Sequence, residues 1–115
     1  MLTIEKLRTF GADVDEGLAR CMNNEGFYLR MVDMAIEDKG FARLEEAVEK
    51  GEIPRIFEAA HALKGMLGNV ALTPLFQPAS EMTELARAGT AADYAALGET
   101  ISARRSELRT LRDEN

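Results

Sequence analysis

The residues with the clearest chemical capacity lie together, in Ala60-His61-Ala62-Leu63-Lys64-Gly65-Met66-Leu67-Gly68-Asn69. His61 is the only histidine in the chain. An unperturbed imidazole titrates at about pH 6.5, so near neutrality much of it is unprotonated and competent to attack phosphorus. Lys64 follows one helical turn later, where its ammonium can offset part of the charge that a phosphoryl group brings. Phosphoryl transfer needs mainly positioning and charge stabilisation. The same pattern also fits a lone histidine with a purely structural role.

The flanking sequence indicates what positions these side chains. Ile53, Ile56, Phe57, Ala60, Leu63, Leu67 and Val70 recur at spacings of three and four, the signature of a helix with one buried stripe. Pro54 falls in the first turn, where its missing N–H costs nothing. At about 100° per residue, His61 lies off the centre of that stripe, with Gly65 and Gly68 on its side. Lys64 sits nearer the stripe, but its stem can carry the ammonium past the boundary. Each glycine costs about 0.5–1 kcal/mol relative to alanine in a helix interior, so something should offset it. Two explanations are open: clearance for an incoming protein, and close helix–helix approach. Clearance suits Gly65, one turn beyond His61. Packing suits Gly68, nearer the stripe. Met66 is expected as an exposed apolar contact for a docking partner, with Leu72 and Phe76 extending that rim. The other methionines are expected in the core.

His61-x-Leu63-Lys64-Gly65, followed by Asn69-Val70-Ala71-Leu72, resembles the signature of histidine phosphotransfer (HPt) domains, all-α phosphocarriers of multistep phosphorelays. Upstream, Gly17-Leu18-Ala19-Arg20 and Phe27-Tyr28-Leu29 look like the family's first helices, and downstream the similarity reaches about Arg87. The resemblance implies that His61 is the phospho-acceptor, Lys64 the phosphate neighbour and Gly65 the access residue; from their places around this patch, Met66, Gly68, Leu72 and Arg87 are expected on the partner-binding side. It implies a response-regulator receiver domain as partner, with a hybrid histidine kinase as a further candidate. The receiver would supply the Mg²⁺ and an acidic pocket. Arg87 lies where such domains often carry a basic residue; it either reaches the phosphoryl group or is a solvated arginine at a helix C-terminus. Ala71 departs from the family, which usually has glycine there. That position should matter for the exit of the helix, not for the chemistry. No P-loop or kinase glycine loop is present, so the chain is expected to be a phosphocarrier, not an ATP-using enzyme, and to need no cofactor or metal of its own. The competing reading is a non-transferring helical module that docks on a receiver or kinase and regulates it.

The chain has 115 residues, 46% hydrophobic and 30% charged, as expected of one soluble domain spanning 1–115 with a single core. Its net charge of −6 argues against nucleic acid. Arg104, Arg105, Arg109 and Arg112 alternate with acidic residues and read as a solvated helix face. No apolar run approaches a membrane span, and Met1-Leu2-Thr3-Ile4-Glu5-Lys6 lacks a signal-peptide layout. Cys21 is the only cysteine, expected on a core or half-buried helix face, and fits a reducing cytoplasm. A monomer is expected.

The expected fold is all-α: an antiparallel up-down four-helix bundle with short extra N-terminal helices. Thr3 caps a helix over 4–9 that ends at Gly11, and Asp13 with Glu16 opens one over 14–22. Asn24 caps the next. Phe27, Met31, Met34, Phe41, Leu44 and Val48 keep one phase, which predicts a single long helix over 25–49, kinked at Gly40. The alternative is two helices broken there. Gly51 precedes the histidine helix. Thr73-Pro74 caps and opens a helix to about Arg87. Gly89 stops it, and Thr90-x-x-Asp93 starts the last. Nothing reads as strand.

Overall fold

Polar side chains set where the first helices begin. In the computed structural model, which describes residues 1–114, the Thr3 hydroxyl accepts the Lys6 N–H at 3.1 Å to open α1 (Ile4–Phe10), and Gly11 closes it at φ 101°. The Asp13 carboxylate accepts the Glu16 N–H at 3.3 Å to open α2 (Val14–Arg20). This helix stops short of the expected Met22 because Met22 and Asn23 are both left-handed, at φ 54° and 58°. Asn24 accepts the Phe27 N–H at 3.0 Å and opens α3 (Glu25–Ile36).

The single helix expected over 25–49 is broken: α3 ends at Ile36 and α4 runs Gly40–Lys50. In a continuous helix the Gly40 N–H would donate to the Ile36 carbonyl. Both groups are taken by other partners. The Gly40 N–H donates to the Asp38 carboxylate at 2.7 Å, and the Ile36 carbonyl accepts from Arg105 Nε at 2.7 Å. The break also changes which face of α3 is inside. Tyr28, Val32, Ala35 and Ile36 are buried, whereas Phe27 and Met34, expected in the stripe, are 42% and 68% exposed. A seven-residue step carries phase only through unbroken helix.

Then come α5 (Ile53–Asn69), α6 (Thr73–Arg87) and α7 (Tyr94–Asp113). In α5 the expected stripe is inside: Ile56, Ala60, Leu63 and Leu67 are buried, with Ile53 and Phe57 at its edges. Leu72, not Thr73, occupies the cap position of α6, and Asp93 caps α7, accepting the Ala96 N–H at 3.0 Å. No strand occurs among the described residues. The packing pairs are α4 with α5, α5 with α6, α6 with α7 and α7 with α4, so these four close a ring; α1 and α3 pack on α7, and α2 on α1 and α3. Fully burying a leucine contributes about 1.5–3 kcal/mol, and Leu7, Leu63, Leu67, Leu72, Leu75 and Leu108 are all inside. Methionine contributes less than expected: Met82 is in the core, but Met1, Met22 and Met34 are exposed. Cys21 is buried and free.

One contact fixes α2 and α3 to the exit of the histidine helix. Tyr28 is fully buried and donates its hydroxyl to the Val70 carbonyl at 2.8 Å. Its burial raises the phenol from 10.0 to about 12, with the neighbouring Cys21 and Asp13 adding to the shift. The ring passes so close to Gly17 that a Cβ there would lie 2.4 Å from it. Beside it, Ala71 is held at φ 56°, and its carbonyl accepts the Asp13 N–H at 3.0 Å. A left-handed residue with a Cβ is strained by about 1–2 kcal/mol, which is the physical reason for a glycine preference at this helix exit.

Candidate functional site

The site is built on the solvent side of α5. Its stripe commits Ala60, Leu63 and Leu67 to the core and leaves His61 exposed. The imidazole does not stand free. It stacks on Phe57, one turn earlier, with ring centroids 5.4 Å apart and planes 12° apart. The Arg87 guanidinium, from the end of α6, lies 5.0 Å from the centre of the same Phe57 ring.

Lys64 is half-buried, with Nζ 3.7 Å from Glu84 Oε1 and 6.0 Å from the centre of the Phe76 ring. Arg87 Nε is 3.4 Å from Glu84 Oε2. One carboxylate on α6 thus faces both cations of the site. Gly65 is exposed, and a Cβ built there meets nothing within 4 Å. A Cβ at Gly68 would lie 3.3 Å from the Phe76 ring. Position 65 is therefore open and position 68 is a close approach. Opposite α6, the N-terminal elements wall the groove beside His61 with Asp13, Glu16 and Arg20, the last two paired at 2.9 Å.

Not every residue expected around the histidine is there. Leu72 is fully buried, so it forms no exposed rim: its N–H donates to the Leu67 carbonyl as the chain turns into α6, and its side chain joins the core. Met66 is half-buried and lines the groove between α4 and α5, with Ala59, Ala62 and Arg43, apart from the groove that holds His61. Five positions past His61 is about 140° around the helix. Phe76 is half-buried between Gly68 and Lys64. Three partners were not anticipated. Phe57 stood in the sequence as part of the stripe, although its place one turn before His61 was a signal for contact. Glu84 was signalled only by its i,i+3 spacing to Arg87. The α2 wall had no local signal.

These features define an all-helical bundle that presents one aromatic-backed imidazole to solvent, with two cations close by. A sequence model of the Hpt domain matches residues 32–114; the chain belongs to that family. Hpt domains serve histidine phosphotransfer in phosphorelay signalling, as phosphocarriers. The match extends beyond the Arg87 limit of the resemblance and starts inside α3, leaving α1 and α2 outside it. Comparisons with curated proteins and with solved structures gave no match. No helix among the described residues is long and apolar enough to cross a membrane.

Proposed function

We propose that this chain is a phosphocarrier of a multistep phosphorelay, an up-down bundle in which His61 exchanges a phosphoryl group with the aspartate of a response-regulator receiver domain. The observation that carries this reading is the exposed His61 ring, backed by Phe57 and bordered by the open space at Gly65. The unprotonated imidazole nitrogen attacks the phosphorus of the receiver's aspartyl phosphate. An N–P bond forms, the P–O bond to the carboxyl breaks, and its electron pair leaves on the aspartate. The other ring nitrogen keeps its proton. The return step reverses these changes.

The receiver supplies Mg²⁺ and the acidic pocket around its aspartate. This chain contributes positioning and positive charge. Phe57 supports the imidazole from one side. Lys64, which lines the same groove as His61, and Arg87, which lies on the Phe57 ring behind the imidazole, are the cations placed to turn toward a phosphoryl group on it. The open flank at Gly65 admits the partner's surface. A receiver domain belonging to a hybrid histidine kinase fits the same chemistry, in a cytoplasmic setting and with this chain as a monomer.

The test is incubation with a phosphorylated receiver domain. An acid-labile, base-stable phosphate is expected on the wild-type chain and absent from His61→Gln, while both proteins melt alike because His61 is exposed. Label on the variant would overturn the assignment of His61. A wild type that binds the receiver without acquiring label would instead establish the non-transferring docking module.

A further inference from the structure

We infer that Glu84 is a positioning residue that sets how strongly the site holds a phosphoryl group, by competing with it for Lys64 and Arg87. This rests on the phosphocarrier reading of His61. Glu84 approaches both cations at once, Lys64 at 3.7 Å and Arg87 at 3.4 Å, through different carboxylate oxygens. Both distances exceed those of a charge-assisted hydrogen bond, typically about 2.7–2.9 Å. The Glu84 side chain is 58% exposed. The pairs are therefore loose enough to exchange.

The charges give the direction. Before transfer, Lys64 and Arg87 face one carboxylate, leaving the trio net positive. A phosphoryl group on His61 adds about two negative charges and needs the same cations. Each cation that turns to it leaves Glu84 unpaired, next to a like charge. Glu84 thus weakens retention of phosphate on His61 and favours its passage to the receiver. The remaining charged groups on the groove do not substitute for it. Glu16 is committed to Arg20 at 2.9 Å, and Asp13 accepts the α2 N–H. Arg87 stays at the site when it leaves Glu84, because it also lies on Phe57. Lys64 has the Phe76 ring as its second neighbour.

The experiment is the equilibrium partition of phosphate between a receiver domain and this chain, for wild type and Glu84→Gln, at low and high salt. Glu84→Gln should shift the partition toward the chain, roughly two- to fivefold, as expected of exposed ion pairs, with a smaller shift at high salt. The same substitution in a Lys64→Ala/Arg87→Ala background should give a clearly smaller shift, since only the direct repulsion between Glu84 and the phosphoryl group remains and there is no cation to compete for. A parallel thermal melt checks that each variant is folded. An unchanged partition in Glu84→Gln, or an equal shift in the background without the two cations, overturns the role of Glu84 while leaving His61 as acceptor. A wild type that takes up no label overturns the phosphocarrier reading and this inference together.

Discussion

Two glutamates in this molecule gather arginine or lysine around them, and they do it differently. Glu37, just past α3, receives Arg109 through two hydrogen bonds at 2.6 and 3.3 Å and Arg112 at 2.9 Å, with Arg105 at 3.7 Å. Arg105 is further fixed by its bond to the Ile36 carbonyl and by the Phe41 ring, 4.3 Å from the guanidinium. Glu84 holds its two cations at 3.4 and 3.7 Å, with no hydrogen bond to either. The Glu37 cluster joins α7 to the corner between α3 and α4, so its geometry is dictated by elements distant in sequence. The Glu84 cluster spans neighbouring helices beside an exposed imidazole. The same residue types make a fixed joint in one place and an exchangeable one in the other. The difference lies in the contacts to the carboxylate itself: Glu37 accepts hydrogen bonds from Arg109 and Arg112 at 2.6 to 3.3 Å, whereas the Glu84 cations stand off at 3.4 and 3.7 Å.

Substitutions on the two sides should therefore separate stability from transfer. The largest effect is expected at Gly65. Glutamine there projects into open space, so the melt should remain native, while the approach to His61 is obstructed and transfer falls by roughly tenfold or more, a barrier change of about 1.4 kcal/mol. Alanine at the same position should raise stability by up to about 1 kcal/mol. A Gly65→Gln protein with lost stability and intact transfer would make position 65 a packing site and break the contrast.

Gly17 is the opposite case, a glycine with no space. Alanine must displace the buried Tyr28 ring and strain its bond to Val70, at a cost of about 1–3 kcal/mol. A urea melt measures this directly. A Gly17→Ala protein as stable as wild type would show that the ring can give way.

The smallest effect is expected at Glu37. The hydrogen bonds from Arg109 and then Arg112 lower its carboxyl from 4.5 to about 2. A lowered folded-state value means stabilisation that is complete above the unfolded value and is lost as pH falls from about 4.5 towards 2. Because Glu37 is half-exposed, solvent screening keeps the contribution at or below about 1 kcal/mol. Wild type and Glu37→Gln should differ in melting temperature at pH 7 and converge towards pH 2, with phosphotransfer at neutral pH unaffected. A constant difference across that range would remove the ion pairs as its cause.

Several elements were fully legible before any tertiary contact was known. Thr3, Asp13 and Asn24 cap helices as their types and positions indicate, because an N-cap bond closes within three residues; the last helix starts three residues later than Thr90-x-x-Asp93 suggested, with Asp93 and not Thr90 at the cap. The stripe of α5 is equally local: periodicity alone decides that Leu63 goes in and His61 stays out. The open position at Gly65 follows from the same rotation.

Other features needed partners far along the chain. The break before Gly40 was open as an alternative in the sequence, and its Asp38 bond to the Gly40 N–H is local; what the spacing from Met34 to Phe41 could not show is Arg105 taking the Ile36 carbonyl from 69 residues away. Leu72 looked available as a rim because a turn residue has no periodicity to assign it a side; only the packing of α5 on α6 buries it. Tyr28 against Gly17, and Glu84 between Lys64 and Arg87, likewise exist only once separate elements meet. The sequence by itself determined the all-helical class, the face of α5 and the identity of the exposed histidine, because these follow from backbone periodicity within a few residues. Tertiary structure alone decided what surrounds that histidine, because side chains from different helices become neighbours only through the packing of the whole bundle.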